Sequence, residues 1–228
     1  MPHKPRIFIN MHYMEIGGAE RALLGLLNAI DTSKYDVDLF INQHTGEFMS
    51  LIPSNINLLP EEPRYSTLER PIIETLKKGH IDIAVARVIA RLNHWFYSKT
   101  KKPDKKRDSS LFQYVAKSTT PLLPKLDKLG IYDIAISFLA PHNIVKDKIQ
   151  ARKKIAWIHT DYSTISVNAK IESKVWSGFD NIISISSKVT DTFSLCFTKL
   201  SNKIIEIENI LSPHFIRQQA SEFYPSEY

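Results

Sequence analysis

Two kinds of apolar pattern alternate along the chain. Short runs that are apolar at nearly every central position are typical of strands buried on both faces of a sheet. Between them, apolar residues recur every three to four positions, as on one face of a helix. The runs predict strands over residues 6–10, 35–42, 55–59, 133–138, 154–159, 181–186 and 203–209. The periodic segments predict a helix with apolar positions 22, 23, 26, 27 and 30, and helices over residues 68–78, 81–97 and 111–129, the last broken by Pro121 and Pro124.

Strands that alternate with helices predict right-handed βαβ units. The fold class that follows is α/β, with a Rossmann-like, doubly wound and mostly parallel sheet. Ligands of such sheets bind beyond the C-terminal ends of the strands. We therefore expect site residues in the segments that follow the predicted strands, at residues 12–18, 42–44, 138–142, 159–162, 186–188 and 209.

Gly17 and Gly18 stand between the first predicted strand and the first helix. Adjacent glycines let the backbone turn sharply and let a ligand approach it closely. The free N–H groups and the positive dipole end of the helix point into the same space, which suits a phosphate or a carboxylate. A simple tight turn between strand and helix is the alternative interpretation.

Composition narrows the class of protein. With 228 residues and 43% hydrophobic content, the chain is long enough for one or two domains with a real core. Its single cysteine, Cys196, excludes an internal disulfide framework and fits a reducing compartment. The first apolar run is too short for a signal peptide, and no segment has the apolar length of a spanning helix, so we expect a soluble, cytoplasmic protein. A net charge of +6 favours an anionic partner.

The excess of positive charge is concentrated between residues 77 and 107, which hold ten Lys or Arg and only two acids, Asp82 and Asp104. The helix predicted over residues 81–97 combines an apolar face beside Trp95 with a basic face, as helices on anionic membranes do. A core-packed helix with a solvated basic face is the alternative. No nucleic-acid-binding motif is present, so we expect no nucleic acid partner. The candidates for contact with an anionic membrane or acceptor are Arg87, Arg91, Lys101, Lys102, Lys105, Lys106 and Arg107.

Polar residues after the later strands are further candidates. A histidine beside a carboxylate, as at His159 and Asp161, can orient a sugar hydroxyl or hold a proton, and a purely structural histidine is the alternative. Ser186 and Ser187 open a helix, where Ser187 is expected to be the N-cap or to bind phosphate. Asn209 suits either a ligand contact or the cap of a turn. The histidines lack metal-ligand spacing and there is no Cys pair, so we expect no metal.

Taken in order, these motifs resemble the N-terminal domain of GT-B glycosyltransferases of family 4. Residues 16–24, Ile-Gly-Gly-Ala-Glu-Arg-Ala-Leu-Leu, are similar to the glycine-rich loop of that family, and residues 35–40 to its second strand. Residues 158–161 stand where the family carries its histidine motif. Residues 180–187 resemble its strand that ends in serine, and residues 203–209 its strand that ends in asparagine before the interdomain linker.

The resemblance implies one half of a GT-B architecture. Residues 1–217 would form the Rossmann-like acceptor domain and residues 218–228 the start of the interdomain linker. The nucleotide-sugar domain, with its Glu-x7-Glu motif, is absent from this sequence, so we expect the chain alone to be inactive. The complete enzyme would transfer a hexosyl group, with retention and without metal or tightly bound cofactor. Its donor would be a nucleotide-sugar, and its acceptor a polysaccharide or glycolipid at the inner membrane face.

The resemblance also implies roles for individual residues. His159 would be the catalytic histidine that orients the donor sugar. An exposed face near the strand ends would suit a dimer. The alternatives are a stand-alone, non-catalytic anion- or glycan-binding domain and a nucleotide-binding regulator on the same sheet. The donor contacts would be Gly17, Gly18, Ser186, Ser187 and Asn209, and the acceptor contacts His12, Glu20, Asp161 and Tyr162.

Overall fold

The computed structural model of the chain describes residues 4–101, 105–211, 216–217 and 220–221. Strands and helices alternate through both halves of this part. The first half contains β1 Arg6–Met11, α1 Gly18–Ala29, β2 Asp36–Ile41, β3 Asn57–Leu58, α2 Ile72–Lys77, α3 Ile81–Thr100, β4 Arg107–Asp108 and α4 Ser110–Thr119. The second half contains β5 Tyr132–Ser137, α5 Asn143–Lys148, β6 Ala151–Ile158, β7 Ile165–Ser166, α6 Ala169–Trp176, β8 Asn181–Ser184, α7 Ser187–Cys196 and β9 Ile204–Glu206.

Seven of the described strands form one parallel sheet in the order β3-β2-β1-β5-β6-β8-β9. The chain builds outward from β1 to β3, returns to the centre as β5 beside β1, and then builds outward in the other direction. This order defines a doubly wound, Rossmann-like sheet, so the predicted fold class is confirmed. The direction reverses between β1 and β5, and the crevice at such a point is where ligands bind.

Apolar side chains cover both faces of the sheet, which explains the continuous apolar runs. Successive residues of β1 point to opposite sides, so that Phe8 belongs to one core while Ile7 and Ile9 belong to the other. Phe8 packs against Phe40 and Tyr132, with ring centroids 6.0 and 5.2 Å apart. Because neither face of the central strands meets water, every position along them favours an apolar residue.

Prolines limit two of the predicted helices. Of the helix predicted over residues 68–78, only α2 forms, because Pro71 occupies the position before its first turn. The break predicted at Pro121 is confirmed, since α4 ends at Thr119 and Pro121 lies in the short 3₁₀ turn that follows, but no α-helix forms between this turn and residue 129. A second sheet pairs β4 with β7; it was not predicted because each strand has only two residues.

The segment after β9 reaches back to α1. The Ile207 N–H donates a hydrogen bond of 2.9 Å to the Ser184 carbonyl at the end of β8. Three residues later, the backbone lies directly against Gly25 in the middle of α1. A Cβ atom placed on Gly25 would be 1.8 Å from the Ile210 carbonyl oxygen, so the approach requires glycine. The exit from the last strand is thereby tied to the first helix.

Candidate functional site

A cavity of about 700 Å³ opens at the C-terminal edge of the sheet, beside the crevice between β1 and β5. Three histidines that follow strands line it: His12 after β1, His142 after β5 and His159 after β6. Residues of α3, α4 and α6 supply further walls. The three segments that the strand-end rule singled out thus lie around one cavity, because the C-terminal ends of parallel strands meet at one edge.

A series of polar contacts runs beside the cavity from β1 to the loop after β3. Asn10 Nδ2 donates to Asn42 Oδ1 at 2.8 Å, and Asn42 Nδ2 lies 3.2 Å from His12 Nδ1. Because the Asn42 oxygen is used by Asn10, its amide group donates to His12, and a neutral His12 ring then carries its proton on Nε2. This Nε2 lies 3.4 Å from Glu69 Oε2, slightly longer than a well-formed hydrogen bond.

Glu69 is a site residue that the sequence did not indicate, because it follows no strand. Its side chain is 45% exposed and lines the cavity. The neighbouring His12, with a smaller contribution from Arg87, lowers the pKa of the Glu69 carboxyl against the opposing effect of burial. A charged carboxylate accepts hydrogen bonds from ligand hydroxyl groups. The pair formed by His12 and Glu69 can therefore hold a polyhydroxyl ligand.

His142 and His159 are neutral members of the cavity wall. Burial lowers the pKa of His142 to about 3 and that of His159 to about 4. Ser137 Oγ lies 2.8 Å from His142 Nδ1 and fixes that ring. His159 Nε2 is buried without a hydrogen-bond partner in the described part of the chain, and its ring packs 4.6 Å from that of Phe138. A neutral ring with an unused nitrogen can donate to or accept from a sugar hydroxyl.

The two neutral histidines make stability depend on pH. Above about pH 6.5 the contribution of these rings to the free energy of unfolding is constant. Below that pH the histidines of the unfolded chain bind protons that the buried rings of the folded chain do not bind, so the free energy of unfolding falls. Each ring contributes up to about 1.4 kcal/mol per pH unit in this range. We expect urea denaturation at pH 5 and pH 6 to show this slope, and His159→Gln or His142→Gln to reduce it by about that amount. A slope that neither substitution changes would contradict the prediction.

Tyr162 supports the cavity from behind rather than presenting its hydroxyl to a ligand. The Tyr162 hydroxyl donates to Glu172 Oε1 at 2.9 Å, and Trp176 Nε1 lies 3.2 Å from each of these oxygens. Gln113 donates to the other carboxylate oxygen of Glu172, and its own Oε1 accepts from the Asn168 N–H at 2.7 Å. This network joins α4 and α6 to the loop after β6. Sequence reasoning missed it, because its members are distant along the chain.

Gly17 and Gly18 begin α1 at the same edge of the sheet but do not line the cavity. A Cβ atom on Gly17 would lie 2.1 Å from Glu20 Oε2, so the Glu20 carboxyl folds back against the loop. Burial raises the pKa of this carboxyl. A Cβ atom on Gly18 would meet nothing within 4 Å, so the open side of the loop is at Gly18. Asn209 lies beyond β9 and is also outside the cavity lining.

The serines after β8 act as a helix start. Ser186 is the N-cap of α7, and its Oγ accepts from the Val189 N–H at 3.4 Å. The expectation that Ser187 is the N-cap is wrong by one position, because Ser186 has the extended backbone that a cap requires. Asp161 Oδ2 lies 3.3 Å from Lys188 Nζ, so Asp161 connects the loop after β6 to the first turn of α7.

The apolar face predicted for the helix over residues 81–97 exists, but it faces outward. The buried face of α3 carries Ile83, Ala84, Ala86, Arg87 and Ala90, and Ile83 belongs to the core. The helix therefore does pack against the core, but through residues other than the predicted apolar face. The side chains that we call the α3 apolar face are each 46% to 62% exposed: Ile81, Val85, Val88, Ile89, Leu92, Trp95 and Phe96.

The basic candidates do not form one surface. Arg87 is only 6% exposed, so the prediction that it contacts a membrane is wrong; its guanidinium is used to donate to backbone carbonyls inside the fold. Arg91 and Arg107 line the cavity. Lys101 Nζ lies 3.7 Å from Asp108 Oδ1. Among the other candidates, Lys105 and Lys106 are exposed. Lys102 lies outside the described residues.

In the part of the chain that the structure describes, no helix combines the length and the hydrophobicity needed to cross a bilayer. No three of the His, Cys, Asp or Glu side chains in that part are grouped so that they could hold a metal ion. The predicted linker, residues 218–228, lies largely outside the described ranges.

The sheet order and the cavity at its C-terminal edge define an α/β protein with a Rossmann-like fold.

No known family profile matches the sequence, and no curated protein matches it. Among solved structures, it is similar to Anabaena Alr3699/HepE in complex with UDP and glucose (TM-score 0.49, 13% identity, 95% of this chain and 50% of that chain). The UDP-glucose complex of HepE gives a TM-score of 0.48 at 12% identity, over 95% of this chain and 50% of that one. TcCGT1 in complex with UDP gives a TM-score of 0.36 at 11% identity, over 96% of this chain and 55% of that one. This chain thus spans about half the length of each of these proteins.

Proposed function

We propose that this chain is the acceptor-binding half of a glycosyltransferase. The observation that carries the proposal is the cavity at the C-terminal ends of β1, β5 and β6, where neutral His142 and His159 and charged Glu69 line one space with the rings of Phe112 and Trp176. Polar groups of this kind pair with sugar hydroxyls, while aromatic rings cover the apolar faces of a sugar. The volume, about 700 Å³, is that of a small-molecule site.

We propose that the donor, a nucleotide-sugar, binds between this half and a second domain that is not part of the sequence. The open side of the glycine loop at Gly18 suits an approaching diphosphate. Free N–H groups at the start of α1 would stabilise the negative charge that develops as the diphosphate leaves. In this proposal His159 orients the transferred sugar, Ser187 and Asn209 face the donor, and transfer proceeds with retention and without a metal.

We further propose that the protein works at the cytoplasmic face of a membrane. The supporting observation is the α3 apolar face, a run of large apolar side chains exposed on one helix. Lys77 and Lys99 lie near its two ends and are exposed, and Lys99 Nζ sits 3.6 Å from the centroid of the Trp95 ring. Apolar and aromatic side chains flanked by lysines are the combination that anionic lipid surfaces bind. The acceptor in this proposal is a membrane-associated polysaccharide or glycolipid.

The test is a transfer assay on the protein expressed from its complete gene, with a panel of nucleotide-sugars as donors. We expect one donor to support transfer or slow hydrolysis, and Gly18→Val to lower kcat by about tenfold or more because the added methyls occupy the diphosphate approach. Ala29→Val, at the exposed other end of α1, is the matched control and should keep normal kinetics.

Failure of every donor, together with retained binding of a glycan by the chain, would favour the stand-alone binding domain. Equal kinetics of Gly18→Val and Ala29→Val would show that Gly18 does not contact the donor. The acceptor cavity would then be tested separately.

A further inference from the structure

We propose that the cavity contains a phosphate-binding subsite built from Arg87, Arg91 and Arg107, so that the acceptor carries a phosphate group. The inference rests on the proposed function in one respect, since it takes the cavity ligand to be the acceptor. It adds the chemical class of that acceptor. The three guanidinium groups reach the cavity from two elements, Arg87 and Arg91 from α3 and Arg107 from β4.

Arg87 provides the strongest evidence, because every hydrogen bond that its buried guanidinium makes goes to a neutral group and none to a carboxylate. Its side chain donates to the carbonyl oxygens of Thr67, at 2.8 Å, and Arg70, and lies 3.3 Å from the Thr75 hydroxyl oxygen. All of these bonds use one terminal nitrogen. Its Nε is buried and has no hydrogen-bond partner in the described part of the chain. A buried cation without an anionic partner is costly, so an anion that enters the cavity would be bound there.

Arg91 adds a second charge one helical turn away. Burial lowers the pKa of Arg87 and the charge of Arg91 lowers it further, while the nearby charge of Glu69 offsets only part of this effect. Two like charges at positions i and i+4 repel each other, and an anion between them removes that repulsion. A guanidinium group presents a planar set of N–H donors that matches the oxygens of a phosphate.

The carboxylates of the cavity do not balance these three cations. Within the described ranges, none of the three arginines has a carboxylate oxygen within 4.0 Å, whereas Arg70 pairs with Glu61 and Glu74, and Arg152 pairs with Asp133. The cavity holds three carboxyl groups, and each has its own partners in the chain: Glu69 has His12, Asp108 has His94, Lys101 and Ser110, and Glu172 has Tyr162, Trp176 and Gln113.

Burial raises the pKa of Glu172, which also spends its carboxylate oxygens on Tyr162, Trp176 and Gln113. The cavity wall therefore has three arginines, from α3 and β4, whose charges no carboxylate of the described ranges pairs with directly. A ligand with a doubly charged head and a polyhydroxyl or apolar body fits this distribution: the phosphate at the arginines and the body toward Glu69 and the aromatic rings.

Calorimetric titration of the 228-residue chain with inorganic phosphate tests the subsite. We expect the wild type to bind phosphate, and Arg91→Gln and Arg107→Gln each to weaken binding by about tenfold. Both side chains are exposed, so these variants should fold normally. The matched control is Arg152→Gln, whose side chain is 79% exposed, pairs with Asp133 and lies outside the cavity.

A second titration identifies the source of the phosphate. Dodecyl phosphate below its micellar concentration is compared with inorganic phosphate in an Ile89→Ser/Leu92→Ser background, which removes the α3 apolar face as a competing site. Tighter binding of dodecyl phosphate assigns a lipid phosphate if Arg91→Gln abolishes the gain. Equal binding assigns a soluble sugar phosphate if Arg91→Gln weakens the binding of both probes. Either result supports the subsite.

Two results would overturn the proposal: no phosphate binding by the wild type, or an equal loss in Arg152→Gln. The outcome is separable from the proposed function. Sugar transfer to neutral acceptors without phosphate binding would reject only the subsite. Phosphate binding by a protein that uses no nucleotide-sugar would reject only the glycosyltransferase.

Discussion

Replacing Trp176 with alanine should lower the free energy of unfolding by about 3–5 kcal/mol. The indole ring is 1% exposed and packs against His142 and Phe193, with ring centroids 4.4 and 5.1 Å apart. Its Nε1 also lies 3.2 Å from Tyr162 Oη and from Glu172 Oε1. The alanine variant therefore leaves a large void beside the cavity and removes a donor from a buried carboxyl group.

Chemical denaturation followed by circular dichroism measures the loss. Trp95→Ala is the matched control: its ring is 49% exposed on the α3 apolar face, so its removal should change stability by no more than about 0.5 kcal/mol. Trp176→Phe should fall between the two, since it keeps most of the packing and loses only the N–H. A Trp176→Ala variant as stable as Trp95→Ala would show that the Glu172 network does not hold α6 in place.

Vesicles that contain anionic phospholipid should bind the wild-type chain and bind an Ile89→Ser/Leu92→Ser variant roughly 100-fold more weakly, since each apolar side chain contributes on the order of 1.4 kcal/mol on entering the interface. The two side chains are 48% and 54% exposed, so their replacement should leave the fold and its melting temperature nearly unchanged. Raising the salt concentration should weaken binding further by screening the flanking lysines.

Co-sedimentation with vesicles measures the partition. Leu195→Ser is the matched control, because this side chain is 84% exposed but lies on α7, away from α3. Equal binding of the wild type and the double variant, or equal binding to neutral and anionic vesicles, would contradict a membrane role for the α3 apolar face.

The sheet could be predicted well from the sequence because burial on both faces imposes one requirement on every strand position. The interior strands β1, β5 and β8 are short runs with few polar interruptions, and each one was located. β6 was partly missed: it begins at Ala151, whereas the predicted strand began at residue 154, because basic residues interrupt the apolar run before it. Near a strand end, side chains can reach water, so the apolar pattern no longer marks the boundary.

The site could be predicted only where topology determines position. His12, His142 and His159 follow neighbouring strands, so the parallel sheet alone brings them to one edge. Glu69 and Arg87 reach the same cavity from a loop and a helix whose placement depends on packing across the whole domain. The periodicity of α3 likewise fixed which residues share a face, but not whether protein or solvent covers that face.

The contact between Gly25 and Ile210 also has a consequence for how the chain folds as it is synthesised. The unit formed by β1, α1 and β2 leaves the ribosome first, yet α1 receives the backbone that covers Gly25 only after β9 has been made. In the same way, the central strand β1 can pair with β5 only after the second half of the sequence has begun to be made. Such distant pairings delay folding, so the nascent N-terminal unit should remain a chaperone substrate until the final strands are complete.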